Sequence, residues 1–443
     1  MMEKVLELCK DKKYTDLMSY LETMNSADIA QVLSEVEDEE MIIIYRFLSK
    51  EKAVETFAFM EPNLQEHLIH AMSDKELQEV TSLLFLDDTI DLIEEMPANI
   101  VKRILLQADP KQRKLINDFL NYPNDSAGSV MTIEFIDLKA SMTVEQAFNR
   151  IRKIGVNKET IYTCYVLDDS RRLQGIVTVK DLLLANELTL LEEIMETNLI
   201  TVNTLEDKEE VARKFNRYDL LALPVVDKEN RLVGIITIDD AVDVMQDENT
   251  EDFEKMAAIK PSEDTYFHTS VWNHARHRIV WLLVLMLSAT FTGLLITKYE
   301  GAFAAIPLLV SFIPMLMDTG GNCGAQSSTL VIRGMAIDEI RSKDMFRVLL
   351  KEARVAAIVG VTLGVVNGLR ILIQYKNALM AITIGLTLIA TVCLSKMLGC
   401  LLPMLAKKMK LDPALMASPL ITTIVDTCSI IIYFNIAIKI MNI

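Results

Sequence analysis

Closely spaced cysteines are missing from this sequence. Its six cysteines are scattered over 443 residues, and no two of them form a CxxC pair or another metal-binding spacing. This excludes a structural zinc site of the usual kind, and we expect thiols that are buried or face lipid. A P-loop is also missing, which argues against an ATP-driven pump and, with no other hydrolytic motif present, against an enzyme.

The front of the chain lacks both an apolar leader and an excess of positive charge. Its first ten residues, MMEKVLELCK, contain no apolar core of signal-peptide length, so we expect the front half to stay in the cytosol. Residues 1–274 carry 29 basic and 54 acidic side chains, whereas the remainder carries 16 and 8. The acidic front half argues against binding to nucleic acid or anionic lipid and favours cations as partners.

Residues 1–126 have the pattern of short stacked helices. Apolar residues recur every three or four positions, for example in SADIAQVLSEV from Ser26 and in PANIVKRILL from Pro97. Ser and Asp residues that can cap a helix recur at intervals of roughly a dozen residues. We therefore predict an all-α, helical-repeat domain at the start of the chain.

Residues 127–248 repeat themselves with a period of about 60 residues. VMTIEFIDL from Val130 is echoed by IMETNLITV from Ile194, and LQGIVTVKD from Leu173 is echoed by LVGIITIDD from Leu232. Strand and helix signals alternate in each copy, and the period is too long for one unit of a solenoid. The pattern predicts two small α/β modules packed as a pair, with boundaries at 127–190 and 191–248.

An acidic segment, predicted as a connecting helix at 249–274, precedes a domain of long apolar runs at 275–443. Five runs are long enough to cross a bilayer, at 279–297, 303–332, 355–373, 378–405 and 414–440. Basic residues are concentrated before the first run, after the second and after the fourth. The positive-inside rule then predicts five membrane helices with a cytosolic N-terminus and an external C-terminus.

Acidic residues at membrane depth are few. Asp426 lies in the middle of the fifth run, Asp412 begins it, and Asp318 lies in the second run. A charge at the bilayer centre costs about 2.5–3.5 kcal/mol on insertion scales, so such residues normally face water, a partner charge or an ion. On one continuous helix Asp412 and Asp426 would share a face, about 21 Å apart. This arrangement predicts a cation path with one acid at its cytosolic mouth and one at its midplane.

Polar oxygens accompany these acids. Thr422 and Thr423 lie between Asp412 and Asp426, after a proline that can turn carbonyl oxygens inward. In the second run, Asn322 lies within a glycine-rich stretch whose Gly320-x-x-x-Gly324 spacing is equally compatible with a plain helix-packing face. Oxygen ligands suit a hard cation, and Mg²⁺ tends to keep its water shell and meet one or two carboxylates.

The two repeated copies resemble a tandem of CBS domains, the modules named for cystathionine β-synthase. In such pairs a Thr-x-x-Asp sequence often supplies an Asp to the ribose hydroxyls of an adenine nucleotide. The matching residues are Thr178 and Asp181 in the first copy and Thr237 and Asp240 in the second. The resemblance implies that ATP binds at Thr178 and Asp181; the alternative is that each Asp merely caps the helix that follows.

Over essentially its whole length the chain resembles the MgtE family of magnesium channels. Its most specific motifs are GGN at 320–322 with QSSTLVIRG downstream, and DPA from Asp412 with ITTIVD ending at Asp426. The resemblance implies a multidomain protein of the plasma membrane: a helical N domain, a CBS pair, a connecting plug helix and five transmembrane helices. It also implies a homodimer whose plug helix closes the pore at high cytosolic Mg²⁺. The pore residues expected from spacing and resemblance together are Asp426, Asp412, Asn322, Thr422 and Thr423.

Acidic residues outside the membrane runs are candidates for the Mg²⁺ sensor. Asp87 and Asp91 stand four residues apart, and like charges at this spacing repel by about a few tenths of a kcal/mol on an exposed helix. Facing acidic surfaces would separate without divalent ions and come together around them; solvated helix faces are the alternative for any single residue. By the family pattern the sensor positions are Asp87, Asp91, Asp219, Asp240, Glu248, Glu251 and Asp252.

Two alternatives to a channel stay open. A secondary transporter would exchange a divalent cation against H⁺ or Na⁺ with Asp426 as the coupling carboxylate, although the five runs show none of the inverted repeats that many such folds contain. A membrane anchor for a nucleotide sensor would need no acid at the midplane. Selectivity for Mg²⁺ over Mn²⁺, Co²⁺ or Ca²⁺ rests on the resemblance alone.

Overall fold

The fold was analysed in a computed structural model, which describes residues 2–262, 266, 269–300, 306–416 and 418–442. The chain forms two compact units, Met1–Met245 and Gln246–Ile443. Residues 303–305 of the predicted second apolar run lie outside the described residues. So do residues 263–265, 267 and 268 of the predicted connecting segment.

Short helices make up the start of the first unit. Helices α3, α4, α5, α7 and α8 each pack against the helix two places further along the chain, as stacked helical repeats do. Capping side chains begin several of them, such as Ser73, whose hydroxyl accepts from Glu76 N. The helices are α1 (Met2–Lys10), α2 (Tyr14–Glu22), α3 (Ser26–Ser34), α4 (Asp38–Arg46), α5 (Lys50–Ala58), α6 (Pro62–Ala71), α7 (Asp74–Thr81), α8 (Leu86–Glu95), α9 (Ala98–Gln107) and α10 (Pro110–Phe119).

The repeated segment forms two three-stranded sheets with the same topology. In each sheet the first two strands are parallel and the last two are antiparallel. Bridges between Ile176 and Glu196, and between Thr132 and Ile235, tie the third strand of each copy to residues of the other copy. The elements are β1 (Ile136–Leu138), α11 (Val144–Ile154), β2 (Thr163–Leu167), β3 (Leu173–Thr178), α12 (Val179–Leu184), α13 (Leu191–Ile194), β4 (Val202–Asn203), α14 (Lys208–Tyr218), β5 (Ala222–Val226) and β6 (Leu232–Thr237).

The connecting helix, α15, spans Ile238–Met256. It therefore begins inside the second α/β copy and ends well before residue 274, in contrast to the predicted bounds of 249–274. Ala258 adopts a left-handed backbone with φ 55°, and Pro261 follows, so the helix cannot continue.

The second unit is built from long helices. They are α16 (Val271–Lys298), α17 (Ile313–Ala336), α18 (Met345–Tyr375), α19 (Ala378–Lys408) and α20 (Ser418–Met441). Helix α19 packs against α17, α18 and α20, while α16 packs against α20. Helix α17 starts ten residues later than the predicted run because Pro307 opens a 3-10 segment, Pro307–Phe312, in front of it.

Four segments within the described residues are long and apolar enough to cross a membrane, at Val271–Lys298, Ser342–Tyr375, Ala378–Lys408 and Pro413–Met441. The predicted second span, α17, has 24 residues and is about 36 Å long, but it is not among these four apolar segments. The five predicted spans thus comprise four apolar helices and one polar helix of sufficient length.

One geometric prediction is wrong. Asp412 and Asp426 were expected on one face of a continuous helix, but Asp412 precedes a 3-10 turn, Pro413–Met416, and α20 begins only at Ser418. Pro413 and Pro419 lack the backbone N–H that an uninterrupted helix would need. The fourteen-residue spacing therefore does not fix the relative direction of the two carboxylates.

Candidate functional site

Three glycines bring α17 directly against α20. A Cβ atom on Gly321 would lie 3.0 Å from Thr422 Cγ2, and one on Gly324 would lie 2.7 Å from Ile421 Cγ2. A Cβ atom on Gly320 would lie 2.9 Å from Val425 Cγ1. The two helices can therefore approach closely at this level only because glycine has no side chain. This supports the helix-packing role considered for Gly320 and Gly324.

A second face of α17 is polar and exposed. Asp318, Asn322, Gln326 and Thr329 are all exposed, and their spacing of four, four and three residues places them along one side of the helix. We call these four residues the polar stripe. Polar side chains at membrane depth normally face a protein interior or a wet cavity rather than lipid. The stripe therefore marks the side of α17 on which water or an ion would run.

Asp426 lies half-buried on α20, one helical turn after Thr422. Its carboxylate is close enough to that of Asp318 for the two to repel each other. The hydroxyls of Thr422 and Thr423 both donate to the carbonyl oxygen of Pro419, at 2.9 Å each. Hydroxyl oxygens that donate in this way keep lone pairs, with which they can accept from the water shell of a cation.

Asp412 is held by two groups in this structure. Its Oδ1 accepts from Ala414 N at 2.8 Å, and its Oδ2 lies 2.7 Å from Lys255 Nζ. Lys255 also lies 2.5 Å from Glu251 Oε1, so one ammonium joins two residues predicted to bind Mg²⁺. Partial burial acts to lower the pKa of Lys255, but its hydrogen bonds to Asp412 and Glu251 outweigh this and raise it. The lysine is therefore firmly charged.

A buried charge network lies between α17, α18 and α19. Ser327 Oγ donates to Glu352 Oε2 at 2.7 Å, Lys396 Nζ donates to Ser327 Oγ at 3.2 Å, and Lys396 Nζ lies 3.9 Å from Glu352 Oε2. Sequence reasoning missed this network because Glu352 falls just outside the predicted third run. A sequence signal for the network was present, because Lys396 is a basic residue inside the predicted fourth run.

The first unit contains a concentration of carboxylates that involves α8 and the start of α15. Asp87 is only 8% exposed, and burial together with the charges of Asp240 and Asp88 raises its pKa well above the ordinary range. Burial and then the charge of Asp240 raise the pKa of Asp91 to about 7. Every charged group acting on Asp87 and Asp91 in these interactions is another carboxylate. The predicted sensor residues Asp87, Asp91 and Asp240 are thus brought together.

Three further carboxylates belong to this group and were not predicted. Burial and neighbouring acids raise the pKa of Asp88 to about 6 and that of Glu159 to about 8. Asp239 is one of the acids that act on both. Asp88 directly follows the predicted residue Asp87, and Asp239 directly precedes the predicted residue Asp240. Pairs of consecutive acidic residues could therefore have revealed both. We call Asp87, Asp88, Asp91, Glu159, Asp239 and Asp240 the acidic cluster.

The acidic cluster does not form a ready-made metal cage. Within the described ranges, no three Asp, Glu, His or Cys side chains lie close enough together to hold one metal ion. Mg²⁺ commonly keeps several waters and contacts only one or two carboxylates directly.

The remaining sensor predictions lie elsewhere. Asp219 is exposed at the left-handed C-cap of α14, with φ 51°. Glu248 and Asp252 are half-buried on α15, one helical turn apart, and Glu251 is paired with Lys255.

The predicted nucleotide residues form a capping box. Thr178 Oγ1 donates to Asp181 Oδ2 at 2.5 Å, and Asp181 N donates to Thr178 Oγ1 at 3.2 Å, so Asp181 caps the start of α12. Thr237 and Asp240 repeat the hydroxyl contact at 2.6 Å. Asp181 is exposed, so the capping role leaves it accessible to a ligand.

Comparison with known proteins matches every part of this architecture. Family models match a divalent cation transporter domain at 313–436, an MgtE intracellular N domain at 24–125 and CBS domains at 127–187 and 191–247. The chain is 33% identical to the magnesium transporter MgtE of Thermus thermophilus over 95% of its own length and 94% of that protein's. It is 31% identical to the MgtE of Bacillus subtilis, over 98% and 96% respectively.

Solved structures resemble about half of this chain. The cytosolic domain of the Mg²⁺ channel MgtE in complex with ATP has a TM-score of 0.52 and 33% identity, covering 55% of this chain and all of that one. The soluble part of a magnesium transporter has a TM-score of 0.53 and 26% identity, covering 56% and 99%. The predicted combination of helical N domain, CBS pair and apolar helical region is confirmed.

Proposed function

The chain belongs to the MgtE family of magnesium transporters, and from this premise we propose that it is a Mg²⁺-selective channel that closes when cytosolic Mg²⁺ rises. Such a transporter is not an enzyme, and its apolar helices make it a multi-pass membrane protein. The observation that carries the proposal is the polar stripe of α17 beside Asp426 of α20, in a unit whose other long helices are apolar. A wet cation path explains why these polar groups are tolerated.

The path would hold a hydrated ion. Asp426 from each of two copies would face the ion, Asn322, Thr422 and Thr423 would contact its water shell, and Asp412 would receive the ion at the cytosolic end. Mg²⁺ dehydrates reluctantly, so carboxylates that accept from bound water fit its chemistry. In the plasma membrane, with the N-terminus cytosolic and the C-terminus external, the channel would import Mg²⁺.

A homodimer is part of the proposal. In a single chain the polar stripe is exposed, and a second copy would enclose it. The first CBS copy also exposes large apolar side chains, which a second chain would cover: Val156, Tyr162, Leu183, Leu184 and Leu188. Exposed apolar patches of this kind are typical of interaction sites.

Closure would depend on carboxylates in the cytosolic unit and on α15. In the acidic cluster, Asp240 repels both Asp87 and Asp91 at the junction of the N domain and the second CBS copy. Bound Mg²⁺ would remove this repulsion and favour the compact arrangement. Asp219, Glu248, Glu251 and Asp252 complete the proposed sensor. The relative crystallised with ATP supports an adenine nucleotide at Thr178 and Asp181 as a further ligand.

Flux measurements test the pore. Purified protein in liposomes that contain a Mg²⁺-sensitive dye should take up Mg²⁺, and Asp426→Ala should abolish the uptake while the dimer still elutes normally in size-exclusion chromatography. Glu339→Gln, which removes an exposed acid outside the path, serves as the matched control. Normal uptake in Asp426→Ala would contradict the assignment of Asp426 to the pore. A panel of Mn²⁺, Co²⁺ and Ca²⁺ measures selectivity.

Electrical recording separates the channel from its alternative. Single-channel currents are expected of a channel, whereas a transporter that exchanges the cation for H⁺ or Na⁺ would show none. The triple variant Glu248→Gln, Glu251→Gln, Asp252→Asn should stay open when cytosolic Mg²⁺ is high. Persistent closure of that variant would count against the proposed sensor.

A further inference from the structure

Asp318 is an acidic residue at membrane depth whose carboxylate has no assigned role in the proposed pore. It is the first member of the polar stripe, one helical turn before Asn322, and its side chain is exposed. In the part of the chain that the structure describes, no Lys, Arg or His forms an ion pair with Asp318 or with Asp426. Lys396, a basic residue inside α19, contacts Ser327 and Glu352 instead.

The packing of α17 on α20 puts Asp318 and Asp426 at the same level. The two helices run in opposite directions there, because Gly324 faces Ile421 whereas Gly320 faces both Val425 and Ser429. Asp318 is two residues before Gly320, and Asp426 directly follows Val425. The two carboxylates therefore lie on neighbouring helices at one depth, where they repel each other.

We infer that Asp318 is a second carboxylate of the ion path and determines, together with Asp426, how tightly the path holds a divalent cation. The inference rests on the proposed function, which it deepens. Two unpaired carboxylates at membrane depth are stable only beside water or a cation. Charged side chains around a pore attract cations, and the attraction grows with the charge of the ion, so a second carboxylate favours Mg²⁺ over Na⁺.

The position of Asp318 separates this role from a structural one. Its side chain is exposed, and it caps no helix, because α17 starts at Ile313. Asp318→Asn therefore removes the negative charge and leaves the volume of the side chain nearly unchanged. If Asp318 acts through its charge, the variant should change ion affinity. If Asp318 acts through packing, the variant should change the yield or stability of the protein.

The test compares Asp318→Asn, Asp318→Glu, Asp426→Asn and the loop control Glu339→Gln in liposomes, with the initial rate of Mg²⁺ uptake measured over a range of Mg²⁺ concentrations. We expect Asp318→Asn to raise the half-saturating Mg²⁺ concentration severalfold and to make uptake more sensitive to competing Na⁺. Asp318→Glu, which keeps the carboxylate, should stay near the wild type, as should Glu339→Gln.

The outcomes distinguish this inference from the proposed function. Unchanged half-saturation and Na⁺ competition in Asp318→Asn, with uptake abolished in Asp426→Asn, would overturn the role of Asp318 and leave the channel proposal intact. Uptake that survives in Asp426→Asn would instead overturn the pore itself. Loss of uptake in Asp318→Asn that Asp318→Glu does not restore would also refute the inference, since the carboxylate would not be what matters.

Discussion

The ammonium nitrogen of Lys396 lies 3.9 Å from Glu352 Oε2, with both side chains almost fully buried between α17, α18 and α19. Ser327 bridges them, donating to the carboxylate and accepting from the ammonium. Three helices of the membrane unit are thereby joined by one polar network. Mutation of one residue in a buried charge pair is strongly destabilising, because the other charge is then left without compensation.

The single variants Glu352→Gln and Lys396→Met should therefore each destabilise the protein by about 3–5 kcal/mol, whereas the double variant should cost much less. Thermal unfolding of the detergent-solubilised protein, followed by size-exclusion chromatography, measures this. The exposed pair of Arg341 and Asp338, 2.7 Å apart, provides a control cycle in which little change is expected. Strictly additive losses at Lys396 and Glu352 would show that the pair is not coupled.

Gly399 gives a steric prediction. A Cβ atom at this position would lie 2.3 Å from the carbonyl oxygen of Gly324, which is backbone and cannot move aside without separating α19 from α17. Gly399→Ala should therefore reduce the yield of folded protein severely. Gly293→Ala is the matched control in another membrane helix, because a Cβ there has no neighbour within 4 Å. Comparable yields of monodisperse protein for the two variants would contradict the close packing.

The features that sequence reasoning predicted correctly have local signals. The 3.6-residue periodicity of the N domain and the long apolar runs can each be read from a short window, and the 60-residue internal repeat appears when the chain is compared with itself. The two copies of the α/β module indeed have the same sheet order, and the third strand of each forms a bridge to a residue of the other copy. The GGN motif is also a local signal, and its two glycines are among the three that face α20.

What sequence reasoning missed depends on contacts between distant residues. The pairing of Lys396 with Glu352 spans two helices, and the neighbourhood of Glu159 and Asp239 joins two CBS copies. No spacing rule brings such pairs together. The expected alignment of Asp412 with Asp426 failed for a local reason, since prolines on both sides of the turn stop the helix that the spacing assumed.

Lys255 gives a prediction about gating. Its ammonium joins Glu251 of the connecting helix to Asp412 at the start of the last span, so Lys255→Met would leave two carboxylates that repel. We expect a higher open probability at low cytosolic Mg²⁺, and a stronger dependence on Mg²⁺ because the ion can replace the lost ammonium. Patch recordings over a range of Mg²⁺ measure both. Lys260→Met, at an exposed lysine of the same segment, is the control. An unchanged open probability would argue against the contact.

The acidic cluster predicts how pH acts on the first unit when no metal is bound. Burial and mutual repulsion raise the pKa of Asp91 to about 7 and that of Glu159 to about 8, and those of Asp88 and Asp240 to about 6. An unfolded chain loses these protons near about pH 4, so between that pH and about 8 the folded state binds more protons. Its stability must therefore fall as the pH rises through this window.

Mg²⁺ should reverse this trend, because it binds the ionised carboxylates and not the protonated ones. For a fragment of residues 1–256, the thermal midpoint in EDTA should decrease from about pH 5 to about pH 8, and Mg²⁺ should raise it more at the higher pH. The variant Asp87→Asn, Asp91→Asn should show a flatter pH dependence and a smaller Mg²⁺ effect, with Asp169→Asn, an exposed acid of the first CBS copy, as control. A Mg²⁺ effect that is equal at both pH values would mean that the ion does not bind at these carboxylates.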